Sequence, residues 1–377
     1  MPQVAYFEAA TRLAFGDGAL SESGAIFREC QAARPLLVTD QGMVKAGTVE
    51  LMQTVLAAAG VSAVLFDRVE PDPSIETVQA AAREFRANGC DSLLAVGGGS
   101  PMDCAKAAGV LVYTCGRLED YFGINKVGAP LPPLVAVPTT VGTGSEVTTF
   151  AVISDLARCK KMVIGSPRLA PRCAILDPQV VSTLPPGQVA ATGMDALAHA
   201  VESVLSKFAS PFSDAMALEA IAQISRNLPA ALEMEALQAR AALLYASTMA
   251  GQAFSYARTG LVHGMAHPVG SYYHLHHGLA VAILLPYVLS FNHPFCDSQL
   301  ARVGAAMGVE ASSEAAIEAV IRLKAKVGIP ERLSQAGVTR EFLPQMARDA
   351  FESGNAQVVN PRKPSLEEVT ALYQEAI

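Results

Sequence analysis

What this 377-residue chain lacks narrows the classes open to it. Its 28 basic residues form no long run that would track a phosphate backbone, and the 35 acidic residues leave a formal charge of -7, so nucleic acid is not an expected partner. Hydrophobic residues make up 51% of the chain, yet charged or turn-forming residues interrupt the apolar runs before about 20 residues, the length that spans a bilayer. The opening MPQVAYFEAATRLAFGDG has no basic stretch followed by an apolar one. Neither membrane insertion nor secretion is expected, and a cytoplasmic location is. The seven cysteines (Cys30, Cys90, Cys104, Cys115, Cys159, Cys173 and Cys296) include no CxxC pair and read as reduced core thiols, not a disulfide frame or zinc knot. Cys159 and Cys173 stand beside basic residues and are the two that could be reactive, although isolated thiols more often pack as small hydrophobes. There is no internal repeat and no low-complexity tract.

What is present reads as two domains, 1–185 and 186–377, because the length exceeds that of one ordinary domain. The first half alternates apolar runs with amphipathic stretches, as a parallel α/β sheet requires. Strands are expected at Leu36 to Thr39, Ala63 to Phe66, Ser92 to Val96, Leu134 to Val137 and Cys173 to Leu176, with Thr11 to Phe15 as an edge strand or a dimer contact. Gly47 to Ala59 and Pro73 to Asn88 read as crossover helices, with start and stop signals at Asp72-Pro73 and Asn88-Gly89. After Leu184-Pro185-Pro186, long Ala-, Leu- and Met-rich stretches predict a helical domain. A last helix is expected over Ser365 to Ala376.

Two polar, glycine-rich segments follow strands of the first domain. AVGGGSPMDCAK lacks the GxGxxG spacing, but Gly97, Gly98 and Gly99 let backbone approach a ligand, and the helix opening at Ser100, which carries Asp103, offers N–H groups to a pyrophosphate. A structural glycine turn explains that segment equally well by itself. The second segment, Pro138 to Thr148, supplies Thr139, Thr140, Thr143 and Ser145 as hydroxyl donors to phosphate, ribose or carboxamide. Together they favour a dinucleotide crevice at the carboxyl edge of the sheet. Asp40, at a strand end, either accepts from the adenosine ribose and repels the extra phosphate of NADP, favouring NAD, or is a solvated turn residue. Lys160 and Lys161 are cofactor-phosphate contacts or simply an exposed face.

Histidine is scarce, with seven in all, every one in the second half, and six of them fall on possible ligand-bearing elements. Asp195 and His199 are four residues apart, on one helical face, and His263 and His267 repeat that spacing; His274, His276 and His277 crowd a short segment. One aspartate and three histidines could hold Fe(II) or Zn(II), and spacing does not choose between the metals or among the histidines. The run from His263 to His267 lacks the glutamate of HExxH, which disfavours a zincin protease. A metal beside a nicotinamide permits a dehydrogenase, with the metal polarising an alcohol or aldehyde oxygen. Glu202, seven residues after Asp195, reads as a group that orients or solvates its neighbours, not as a ligand. Phe254 and Tyr256 border a substrate pocket or pack the core.

The segments GGGSPMDCAK, PTTVGTGSEVT, ILDP, LPPGQVAATGMDALAHAVE, GLVHGMAHPVG, HHGLAVAILLPYV and NPRKPSLEEVTALY, in this order, resemble the iron-containing (group III) alcohol dehydrogenase family. The resemblance is nearest its branch of lactaldehyde reductases, propanediol dehydrogenases and short-chain alcohol dehydrogenases. It implies a dehydroquinate synthase-like architecture: an α/β nucleotide-binding domain, then an all-helical metal-binding domain, with the active site in the cleft. It implies Asp195, His199, His263 and His277 as metal ligands, a set that disfavours the metal-independent maleylacetate reductases. His267 is then a proton-transfer residue near the site. Gly97, Gly98, Gly99 and Ser100 lie near the pyrophosphate, Thr139, Thr140, Thr143 and Ser145 along the cofactor, and Asp40 near the ribose. The activity implied is hydride transfer between NAD(H) and a small primary alcohol, diol or aldehyde, by a homo-oligomer, with a dimer favoured. A glycerol-like secondary-alcohol dehydrogenase and a non-enzymatic metal- and nucleotide-binding regulator are the alternatives.

Overall fold

The computed structural model describes residues 7–377 apart from Cys115 and Cys159, so the reading of Cys159 as a reactive thiol lies outside the described residues. The chain divides into two compact units, one of Ala9–Thr140 with Ser145–Thr183, the other of Leu184–Ile377 with Val141–Gly144 and the N-terminal Phe7 and Glu8.

The first unit is built on six strands: β1 (Arg12–Phe15), β2 (Pro35–Val38), β3 (Val64–Phe66), β4 (Ser92–Gly97), β6 (Leu134–Pro138) and β9 (Cys173–Leu176). They form one all-parallel sheet in the order β1-β9-β6-β4-β2-β3. Strands β2, β4, β6 and β9 are buried along their whole length, which is why they read as continuous apolar runs. The opening strand takes the sheet edge, parallel to β9.

The helices of this unit are α1 (Ser23–Glu29), α2 (Gln41–Lys45), α3 (Thr48–Ala58), α4 (Ile75–Ala87) and α5 (Gly99–Val112). Helix α4 starts two residues after Pro73, because the Ser74 side chain accepts from Thr77 N–H at 3.2 Å and sets the N-cap there. The chain leaves β2 outward to β3 and returns to β4 on the other side of β2. That reversal opens a crevice at the carboxyl ends of β2 and β4. A second, three-stranded sheet of β5 (Gly123–Ile124), β7 (Phe150–Asp155) and β8 (Lys160–Gly165) was not expected from the sequence. Its β7–β8 hairpin is antiparallel; buried residues alternate with half-buried ones along β7, and β8 opens with two lysines before its short apolar run Met162 to Ile164.

The second unit is helical: α6 (Pro186–Leu205), α7 (Pro211–Asn227), α8 (Leu237–Ala257), α9 (Leu261–Tyr273), α10 (His277–Asn292), α11 (Asp297–Ala306), α12 (Ser313–Lys326), α13 (Leu343–Glu352) and α14 (Leu366–Ala376). Pro186 sits at the first position of α6, where a missing N–H costs nothing. Ser365 and Glu368 form a reciprocal capping box at the start of α14. Helix α6 is the hub, packed by α7, α8 and α10, and nearly every residue from Val189 onward is buried. By length and composition, α10 with the turn after it (His277–Phe295, 19 residues) is apolar enough to cross a membrane, but it is mostly buried within the protein. It is apolar on all sides because α6, α9, α12 and α14 surround it.

Candidate active site

In the α/β unit, the loop after β4 and the loop after β2 meet at the crevice. Gly97 has φ +147, outside the range of ordinary side chains, and a Cβ on it would stand 2.7 Å from Pro101 Cγ and 3.4 Å from Asp40 Oδ2. Asp40 has two tasks here: Oδ1 accepts from Met43 N–H at 3.1 Å as the N-cap of α2, while Oδ2 faces Gly97. Helix α5 begins after Gly98 with no side-chain cap, so its first N–H groups remain available to an anion. Beside them, the Oγ1 atoms of Thr139 and Thr140 are buried and have no hydrogen-bond partner. Buried hydroxyls without partners are costly, and a bound nucleotide would supply acceptors or donors for them. The glycine turn, the uncapped helix start and these hydroxyls therefore fit a dinucleotide.

Other residues expected along the cofactor are engaged within the protein. The Asp103 carboxylate accepts from Ser145 Oγ at 2.7 Å and from Val152 N–H at 2.9 Å, so both oxygens tie α5 to the loop and to β7. Burial pushes the Asp103 carboxyl up against the opposing pull of Lys106. Ser145 Oγ also accepts from Lys106 Nζ at 3.0 Å, and Ser100 Oγ accepts from Asp72 N–H at 3.2 Å. Lys160 is exposed at the first position of β8, and Lys161 Nζ pairs with Asp72 at 2.8 Å. Thr143 belongs to the short stretch that is part of the helical unit. There Gly142 serves packing: a Cβ on it would lie 2.6 Å from the Thr192 carbonyl of α6.

In the helical unit, α6 carries Asp195 and His199 on one face, α9 carries His263 and His267, and α10 opens with His277. Ligand atoms of Asp195, His263 and His277 all lie within 4.8 Å of one another. His263 Nε2 is 3.4 Å and His277 Nε2 3.9 Å from Asp195 Oδ1. Gly278 allows this approach, since a Cβ there would meet the Ala191 carbonyl at 2.6 Å. His199 lies against this trio: its ring stacks on His263 (centroids 4.3 Å apart) and on Phe254 (4.2 Å), and its Nδ1 is 3.2 Å from the Gly142 carbonyl. With Nδ1–H donating to that carbonyl, the lone pair stays on Nε2. His267 stacks on His277 at 5.4 Å and is half-buried. His274 and His276 are exposed at the end of α9 and the start of α10, outside the cluster.

Charge is concentrated here. Burial alone would raise the Asp195 carboxyl, but His199, His277 and His263 hold it well below the usual carboxylate range. Burial, joined by neighbouring His263, pushes His199 down to about 4 against the pull of Asp195. Burial opposes protonation of His263 as well, yet the Glu202 and Asp195 carboxylates outweigh it and carry that ring up to about 9. Asp195 Oδ1 and His263 Nε2 are both buried and make no hydrogen bond. A carboxylate oxygen and an imidazole nitrogen facing each other 3.4 Å apart without a hydrogen bond, with two more imidazoles beside them, are the donor set of a divalent transition metal.

A parallel α/β unit with a nucleotide-fitting crevice and a helical unit with a buried carboxylate–imidazole cluster define a metal-using oxidoreductase. The chain belongs to the iron-containing alcohol dehydrogenase family: residues 10–178 match the model of iron-containing alcohol dehydrogenase, and residues 189–377 match that of the Fe-containing alcohol dehydrogenase family, C-terminal. It is 41% identical to the 1,3-propanediol dehydrogenase of Citrobacter freundii, over 96% of each chain, and 37% identical to the NAD-dependent methanol dehydrogenase of Bacillus methanolicus, over 96% of this chain and 97% of that one. It is 36% identical to the lactaldehyde reductase of Escherichia coli K12, again over 96% and 97%. A crystal structure of a 1,3-propanediol oxidoreductase superposes with a TM-score of 0.95 at 40% identity, covering 99% of this chain and 100% of that one. Membership of a dehydrogenase family sets aside the non-enzymatic regulator.

Proposed function

We propose that the protein transfers hydride between NAD and a small primary alcohol, diol or the corresponding aldehyde, at a metal held by Asp195, His199, His263 and His277. The observation that carries this reading is the convergence of Asp195, His263 and His277 within 4.8 Å, with Asp195 Oδ1 and His263 Nε2 buried and making no hydrogen bond. The relatives' names, which include 1,3-propanediol dehydrogenase, lactaldehyde reductase and NAD-dependent methanol dehydrogenase, support the substrate class and the cofactor. When bound, the metal supplies a Lewis acid for the substrate oxygen and NAD supplies the hydride acceptor. Iron is favoured by the family and Zn(II) is compatible with the same donors.

The protein's own groups do the rest. Asp195 brings the negative charge that a divalent cation needs in a buried site, and it is already ionised. The Gly142 carbonyl and the Phe254 ring hold His199 in one orientation. Half-buried His267, stacked on His277, is placed to pass a proton between the substrate hydroxyl and water. Phe254, half-buried beside His199, forms an apolar wall suited to a short carbon chain. In the crevice, Gly97 to Gly99 and the start of α5 receive the pyrophosphate, Thr139 and Thr140 bind the cofactor through their free hydroxyls, and Asp40 Oδ2 takes the adenosine ribose. The exposed edge strand β1, with Phe15 70% exposed, suits pairing with a second copy of the chain.

The test is NADH formation by apoprotein reconstituted anaerobically with Fe(II), with Zn(II), or left metal-free, across primary alcohols, 1,2-diols, 1,3-diols and glycerol. Metal-dependent oxidation of primary alcohols or diols is expected. Preference for glycerol over every primary alcohol would move the assignment to a secondary-alcohol dehydrogenase, and equal turnover without metal would refute the metal's role.

A further inference from the structure

Helix α9 begins with no cap of its own. Its N-cap is Gly260, which has no side chain to accept from the first-turn N–H groups, and buried orphan donors at a helix start must find acceptors elsewhere. Two distant segments provide them. Leu261 N–H donates to Asn360 Oδ1 at 3.2 Å and Val262 N–H to Glu202 Oε1 at 2.7 Å. The other carboxylate oxygen, Glu202 Oε2, lies 2.6 Å from His263 Nδ1. Asn360 is held in turn by Asn292: Asn360 Nδ2 donates to Asn292 Oδ1 at 2.7 Å, and Asn292 Nδ2 donates back to Asn360 Oδ1 at 3.0 Å. Gly260 makes room for both acceptors, since a Cβ there would stand 3.0 Å from Asn360 Oδ1 and 3.0 Å from Glu202 Oε1.

We propose that Glu202 is a positioning residue of the metal centre: one oxygen anchors the first turn of α9, and the other locks His263 as the Nδ1–H tautomer, leaving Nε2 to bind metal. This rests on the reading of Asp195, His199, His263 and His277 as the ligand set. Two donors, the Val262 N–H and the His263 Nδ1–H, converge on one side chain that is 4% exposed. Only a side chain with two acceptor oxygens satisfies both. Glutamine has the same shape but offers one acceptor and one amide NH2. The backbone N–H of Val262 cannot change, so the amide oxygen stays with it and the NH2 faces His263 Nδ1. The imidazole answers by moving its proton to Nε2, where it points at Asp195 Oδ1 and removes the lone pair the metal requires. A carboxylate behind a ligating histidine also makes the ring a stronger donor.

The experiment measures Co(II) binding to the full-length apoprotein by competition with a chromophoric chelator, together with the Co(II) ligand-field spectrum and, in the metal-free protein at a pH high enough for the ring to be neutral, the 15N imidazole shifts of His263. For Glu202→Gln the expectation is Co(II) binding weaker by about 10- to 100-fold and an Nε2–H tautomer at His263, with circular dichroism like the wild type because the Val262 N–H keeps its acceptor. His277→Ala is the control. If His277→Ala binds Co(II) as tightly as wild type, the ligand reading itself fails. If His277→Ala loses Co(II) while Glu202→Gln keeps wild-type affinity, spectrum and tautomer, the role of Glu202 is overturned and the ligand set stands. Should Glu202→Gln not fold, Glu202→Asp decides: its shorter carboxylate cannot reach both donors, so weakened Co(II) binding is expected and wild-type binding overturns the proposal.

Discussion

Replacing Lys106 with methionine should remove a rise of stability with pH that the wild type shows. Lys106 is 1% exposed, and its Nζ lies within hydrogen-bond range of Ser145 Oγ, Thr148 O, Thr148 Oγ1 and Phe150 O, all at 2.9 to 3.0 Å. It ties α5 to the loop that follows Thr139 and Thr140. Burial pushes its ammonium from the ordinary 10.5 down to about 8, against the pull of Asp103 and Glu146. Because the folded value lies below the unfolded one, the unfolded chain binds more protons between about pH 8 and 10.5. Stability therefore rises with pH through that window and is lost again as pH falls through about 8. The full excursion, 2.5 units at about 1.36 kcal/mol each, is about 3.4 kcal/mol. Between about pH 7 and about pH 9.5, below the range where tyrosines titrate, the gain is about 2 kcal/mol. Urea unfolding at fixed protein concentration across that range should show this rise in the wild type and not in Lys106→Met. Parallel, flat profiles would mean that the four acceptors keep the ammonium charged without cost, and the burial argument would be wrong.

Other perturbations separate the roles assigned to the site. His277→Ala should lose bound metal and turnover together, whereas His267→Ala should keep its metal and lose about 10²- to 10⁴-fold in kcat, read by metal analysis beside steady-state rates; equal metal content and activity in both variants would refute the assignment. Asp40→Ser keeps an N-cap acceptor for α2 but removes the negative charge facing Gly97, so use of NADP relative to NAD should rise at least about tenfold in kcat/KM; an unchanged ratio would remove Asp40 from the ribose site. Gly142→Ala puts a Cβ 2.6 Å from the Thr192 carbonyl, and should cost about 1–3 kcal/mol in unfolding free energy and weaken metal binding by displacing the carbonyl that faces His199 Nδ1. Wild-type stability and Co(II) affinity in that variant would show the loop to be more yielding than its packing suggests.

How legible each feature is in the sequence follows from how local its cause is. Strands β2, β4, β6 and β9 are buried throughout and announce themselves as apolar runs, but the β7–β8 hairpin, whose second strand begins with two lysines, carries too weak an alternation to mark it. The same division runs through the site. The four-residue spacings of Asp195 with His199 and of His263 with His267 are visible in one dimension, yet they make His263 and His267 equivalent. Packing separates them: the start of α10 brings His277 toward Asp195 and His263, while His267 is left beside His277 at the half-buried side. Asp103 reads as a cofactor contact because it stands in a glycine-rich motif; its hydrogen bonds to Ser145 and Val152, more than 40 residues away, are invisible at that level. Glu202 is the converse case. Its position two turns after Asp195 suggests a group that orients neighbours, while the neighbours themselves, Val262 and His263, lie 60 and 61 residues on. A ligand spacing is a property of one helix, but a carboxylate that selects a tautomer on another helix is a property of the packing. The residues that hold the ligands in place are therefore the part of such a site that sequence spacing leaves unmarked, and substitutions at Gly142, Glu202 and Gly260 should disturb the metal although none of them contacts it.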